Sequence, residues 1–151
     1  MSKAFTLTTN GMSSVSDQTV TGMQKQMYTA HLVWDIGAGV PAGGANYIFQ
    51  ANGANGIFPT NSVITSVRLD CVTQVLGAAG SAITLELESA ADIKVASPVS
   101  AAPFNGTLTL DAVAIKTTAP RSLVATVGGA SPANDLTAGK IVALVDYFVT
   151  E

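Results

Sequence analysis

The chain has 151 residues, a length that suits one domain with one core. It is 48% hydrophobic and only 11% charged, against about 25% charged in ordinary soluble domains, so ionised groups are too few to clothe its surface. A net charge of −3 with scattered Lys and Arg argues against nucleic acid as the main partner, and a single cysteine, Cys71, excludes an intrachain disulfide framework or a cysteine zinc cluster.

Mean hydropathy is +0.40, yet no run approaches the ~20 apolar residues that a membrane-spanning helix needs. The most apolar stretch, Ile141 to Val149, is of strand length and is interrupted by Asp146. The opening MSKAFTLTTNG lacks the apolar segment and cleavage site of a secretory signal, so synthesis and folding in a cytoplasm are expected.

Residues 1–26 are rich in Thr, Ser, Gln and Met, nearly uncharged and weakly periodic, which predicts an extended N-terminal arm ahead of a domain over 27–151. The first strand is predicted at Met27 to Ile36, dense in aromatic and β-branched residues, and it stops at the glycines and Pro41 of GAGVPAGGAN. A short strand at Tyr47 to Gln50 and a second glycine-rich stretch follow. From Val63 to Val75 the alternation is clearest: Val63, Val67, Leu69, Cys71 and Val75 share one phase, and Ser66, Arg68, Asp70 and Gln74 occupy the other. Cys71 therefore reads as a buried small hydrophobe.

After the turn-like GAAGS, Ile83, Leu85 and Leu87 alternate with Thr84, Glu86 and Glu88. Pro98 and Pro103 confine ADIKVASPVSAAPF to a turn or a very short helix. Three further strands are predicted at Thr107 to Leu110, Arg121 to Val127 and Lys140 to Val149, the last apolar in both phases and so expected to be covered on both faces. About eight short strands separated by Gly/Pro/Asn loops, with no sustained period of 3.6, predict an all-β single-domain sandwich, and an eight-stranded jelly roll best fits the count.

Chemistry is thinly supplied. His31 is the only histidine, no serine stands in a G-x-S-x-G elbow, and the role expected for His31 is at a sheet face or subunit contact. Glu86 and Glu88 share one strand face, where a solvated surface that discourages edge pairing is the ordinary use. Asn134 and Asp135 read as turn residues, and the glycine-rich stretches lack phosphate-binding spacings. Tyr28, Trp34, Tyr47, Phe49 and Phe58 suggest a sugar platform less readily than core packing or subunit contact. No enzyme, catalytic residue, cofactor or metal is expected.

What remains is surface. Outward positions such as Ile64, Ser66 and Val72 carry few charges, and a skin of this kind is best hidden in a stable complex, which predicts a tight homo-oligomer. The contact residues expected on the arm and first strand are Phe5, Leu7, Met12, Val15, Met23, Tyr28 and Trp34.

The closing segment, TTAPRSLVATVGG followed by LTAGKIVALVDYFVTE, resembles the carboxyl-terminal end of tailed-bacteriophage capsid decoration (cement) proteins. In such chains a Pro-Arg strand, an LTAGK turn and an apolar final strand ending in Tyr-aromatic-Val follow a longer PTNSVITSV-like strand. The corresponding pieces here are Phe58 to Val75, Pro120 to Val127 and Leu136 to Val149, and the arm lies outside them. The resemblance implies a sandwich or jelly-roll subunit, commonly trimeric, made in the host bacterial cytoplasm and bound to the outside of the virion capsid. Its implied partners are the major capsid protein and itself, with no nucleic acid, no membrane and no catalytic residues. A head fibre, a tail-associated receptor-contacting protein and a carbohydrate-binding jelly roll are the alternatives.

Overall fold

The computed structural model describes residues 6–7, 13–14, 26–38, 46–128 and 136–150. Its strands are β1 (Thr6–Leu7), β2 (Ser13–Ser14), β3 (Tyr28–Asp35), β4 (Asn46–Ile48), β5 (Gln50–Ala51), β6 (Ala54–Asn55), β7 (Ser62–Gly77), β8 (Ala82–Glu86), β9 (Lys94–Pro98), β10 (Thr109–Lys116), β11 (Val124–Gly128) and β12 (Leu136–Val149). All pairings are antiparallel, as short Gly/Pro/Asn connections favour. One sheet runs β10-β7-β12-β3-β5-β6, a second runs β4-β11-β8-β9, and β1 pairs with β2 alone.

The eight principal strands nest. β3 pairs with β12, β4 with β11, β7 with β10 and β8 with β9, so the chain forms one long hairpin whose successive strand pairs fall in opposite sheets. This connectivity is the eight-stranded jelly roll that the strand count predicts. The core lies between the sheets, with Leu32, Trp34, Val67, Leu69, Ile141 and Val145 from one layer and Ile83, Leu85, Ala125 and Val127 from the other.

Several local expectations change. One residue step on β12, Asp146 to Tyr147, spans two on β7, Ser66 to Ile64, so Thr65 is an extra residue that reverses the phase of β7. Ser62 and Ile64 face the core before it, and Val67, Leu69 and Cys71 after it, which takes Ile64 off the surface and turns Val63 outward. The short strand predicted at Tyr47 to Gln50 is divided, because the chain passes between sheets at Phe49, a fully buried side chain. Lys94–Pro98 forms an edge strand in place of a turn or short helix; as the last residue of an edge strand, Pro98 removes a donor the sheet does not need. LTAGK is no turn but the start of β12, where register irregularities surround Gly139. Finally, β12 is covered on one face only: Ile141, Ala143 and Val145 are buried, whereas Val142, Leu144 and Asp146 are partly exposed.

Candidate interaction surface

The outer face of the larger sheet follows from the register. Leu110, Arg68, Leu144 and His31 form one cross-strand row, and Ala112, Ser66, Asp146 and Thr29 the next. This face also carries Asp35, Asp70, Lys116 and Lys140, and on it Asp146 accepts hydrogen bonds from the hydroxyls of Thr29 (2.6 Å) and Ser66 (2.7 Å) and from Arg68 Nη2 at 3.3 Å. The Thr29 hydroxyl, then that of Ser66, holds the Asp146 carboxyl below the usual carboxylate range. The cluster locks β3, β7 and β12 side by side, and further along the same face Lys140 Nζ lies 4.0 Å from Asp35 Oδ2.

At one end of the sandwich, Phe58 and Arg121 exchange backbone hydrogen bonds, and the buried Thr117 hydroxyl accepts from the Ser62 amide (2.9 Å) while donating to the Pro59 carbonyl (2.7 Å). These bonds aim Arg121 at Glu88, whose carboxylate accepts from Arg121 Nε at 2.9 Å and from the Thr118 hydroxyl. Asp92 fixes the turn that carries Glu88 by accepting the amides of Leu87, Glu88 and Ser89 at 2.8–2.9 Å. Glu88 is thus half of an ion pair, where a merely solvated carboxylate was expected. The hollow of about 470 Å³ beside it, lined by Glu86, Ser89, Ala90, Pro120 and Ser122 among others, has its single cation already paired.

The Arg121 hydrogen bond, then that of Thr118, pulls the Glu88 carboxyl from 4.5 down to about 2. A depressed carboxylate stabilises the fold fully above its ordinary value, and that contribution is lost as pH falls from 4.5 through 2. Glu88→Gln is therefore expected to flatten part of the acid limb of a urea-midpoint against pH plot over that window. The effect is small and salt-sensitive because the pair is exposed; equal acid slopes for both proteins at low salt would contradict it.

The predicted contact residues fare differently. Phe5, Met12, Val15 and Met23 lie outside the described residues, as do Asn134 and Asp135, and Leu7 is placed only as a backbone position in β1. Tyr28 is exposed and stacks on Tyr147. Trp34 belongs to the core: it is 5% exposed and packs on Tyr47 and Phe49, so it offers no surface to a partner. With Phe49 and Phe58 also buried, these aromatics hold the sandwich together and form no sugar platform. His31 borders a shallow cavity of about 250 Å³ with Val33, Asp35, Gln50, Asn52 and Gly53, a lining with no hydroxyl or thiol nucleophile. Cys71 is buried, its thiol pushed up by burial and donating to the carbonyls of Thr73 and Phe104. Among the described residues no group of three or more His, Cys, Asp or Glu side chains is placed to hold a metal.

Sequence periodicity could not locate the open seam between β9 and β10, the outer strands of the two sheets along one edge. Leu108, Leu110 and Val95 are each 66–67% exposed there. Between the strands, Lys94 Nζ approaches Asp111 Oδ1 at 3.7 Å, while Asp111 Oδ2 and Thr109 Oγ1 are buried without hydrogen-bond partners.

The fold is an all-β jelly-roll sandwich of two antiparallel sheets, and β9 and β10 are edge strands of those sheets among the described residues. No protein-family model matches the chain, and no curated protein matches it. Solved structures do. A chain of the acid-stable capsid structure of Helicobacter pylori bacteriophage KHP30 is 17% identical, with 83% of this chain and 89% of that one aligned at a TM-score of 0.54. A chain of the cyanophage Pam1 capsid asymmetric unit gives 16%, 85%, 89% and 0.57 for the same quantities. A chain of the Ralstonia phage GP4 capsid gives 19%, 83%, 85% and 0.52. At such identities the likeness is one of fold.

Proposed function

We propose that this protein is a non-enzymatic structural component of a phage virion, which binds the outer surface of the major capsid lattice as a homotrimer and stabilises the head. The observation that carries this reading is a jelly roll shared over more than four fifths of the chain with chains in three phage capsids. The strongly exposed apolar side chains along the β9–β10 edge, Val95, Leu108 and Leu110, support it, because such a patch is suited to lie against protein. Such a subunit works by mass action: whatever binds the assembled shell but not its separated subunits stabilises the shell by its binding free energy. Threefold attachment multiplies the effect, since the first contact raises the effective concentration of the second and third. No bond is made or broken.

The test is direct. Purified protein mixed with undecorated heads is expected to co-sediment with them and to appear by electron microscopy as ordered density at local threefold positions. Bare heads at saturating concentration, or density inside the shell, would refute the reading.

A further inference from the structure

We propose that the free edge of β10 accepts the N-terminal segment of a second copy of this chain, residues 17–24 adding as an antiparallel strand beside residues 109–116. The inference rests on the proposed self-association and not on capsid binding.

The acceptor is defined first. β10 is eight residues long and among the described residues pairs only with β7, so a row of backbone donors and acceptors along its other side has no ladder partner among them. Edges of this length are normally blunted by outward charge, proline or a covering loop. Here the outward side chains Leu110, Ala112 and Ala114 are exposed and uncharged, and Lys116 alone is charged, at the end. On the inward side, Asp111 Oδ2 and Thr109 Oγ1 are buried without partners, in a class of atoms that is nearly always satisfied. Among the described residues the strand therefore lacks a backbone neighbour on that side, and these two atoms lack hydrogen-bond partners although Lys94 Nζ lies 3.7 Å from Asp111 Oδ1.

Residues 17–24, DQTVTGMQ, supply both in one register. Setting Asp17 opposite Lys116 pairs the outward charges and places Met23 opposite the exposed Leu110. The same register faces Val20 to Val113 on the inner side and brings the Gln24 amide opposite Thr109, diagonal to Asp111, within the reach of cross-strand neighbours. The inward charges Lys94 and Asp111 discourage other edges from pairing here, which makes the acceptor selective.

Geometry assigns the segment to a second copy. Tyr28 shares a cross-strand row with Tyr147, Ile64 and Ile115, so the chain enters the sheet three strands from β10 and level with its far end. A residue beside Thr109 lies about 28 Å from Tyr28 by strand spacing and rise. The four residues from 24 to 28 span at most about 14 Å.

The experiment uses the full chain without capsids, with Leu110 replaced by photoreactive p-benzoyl-phenylalanine and light scattering confirming that the protein remains associated. Irradiation is expected to give a denaturing-gel band at twice the 15.3 kDa chain mass, in which tryptic peptide 4–25 is joined to 95–116. The same link in a band of single-chain mass, a link to any other peptide, or no link would each overturn the proposal. Because no capsid is present, failure to decorate heads leaves this result standing, and the reverse holds too.

Discussion

Gly139→Ala is expected to destabilise the fold by about 2–6 kcal/mol, lowering the thermal midpoint by on the order of 10 °C for a chain of this size. Gly139 sits inside β12 with φ at +145°, a conformation that residues with a Cβ rarely adopt, and strain of this kind costs about 1–3 kcal/mol. The added methyl would also lie 2.9 Å from Val75 Cα and 3.0 Å from Ile36 Cδ1. The first neighbour is backbone of β7, held by the ladder it forms with β12, so it can yield only by distorting the central strand pair; overpacking of this kind costs about 1–3 kcal/mol. Gly106 also has a positive φ, at +94°, but a Cβ there meets nothing within 4 Å, so Gly106→Ala carries the backbone strain alone. Calorimetry on both variants separates the two causes, and equal midpoints would show that the close approach to β7 contributes nothing.

The same glycine illustrates why parts of the fold were illegible in the sequence. Gly beside Lys after LTA is common turn chemistry, and no local signal distinguishes a turn from a strand that needs one Cβ-free position against its neighbour. Where burial follows period two the alternation was readable: Ile83 and Leu85 are buried and Thr84 is partly exposed, as their spacing implies. Period-two reading fails at Thr65, because one inserted residue inverts every phase on its N-terminal side, and only pairing to β12 reveals it. The eight-strand count and the jelly roll were within reach because turns are local, whereas the nesting of β3 with β12 joins residues more than a hundred positions apart. The surface was legible as a deficit of charge, but its open seam depends on which two strands end the sheets.

That seam depends in turn on the loop leading into β10, and Phe104→Ala is expected to show how strongly. Phe104 is fully buried in a loop whose other residues are mostly at least partly exposed. Its carbonyl accepts the Val75 amide at 3.0 Å and the Cys71 thiol at 3.2 Å, tying the β9–β10 connection to the far end of β7. Truncating a buried phenylalanine removes its transfer free energy and leaves a cavity, together about 3–5 kcal/mol. The backbone bonds survive the substitution, so the loss falls on packing: the denaturant midpoint should drop with the m-value unchanged. Phe104→Leu keeps most of the volume and is expected to lose about 1 kcal/mol, in line with swaps that nearly conserve volume. A Phe104→Ala protein as stable as the Leu variant would mean that the loop collapses into the space and that the ring does not anchor it. If the ring does anchor it, β10 keeps its place at the sheet margin because one aromatic side chain fixes the loop five residues before the strand begins.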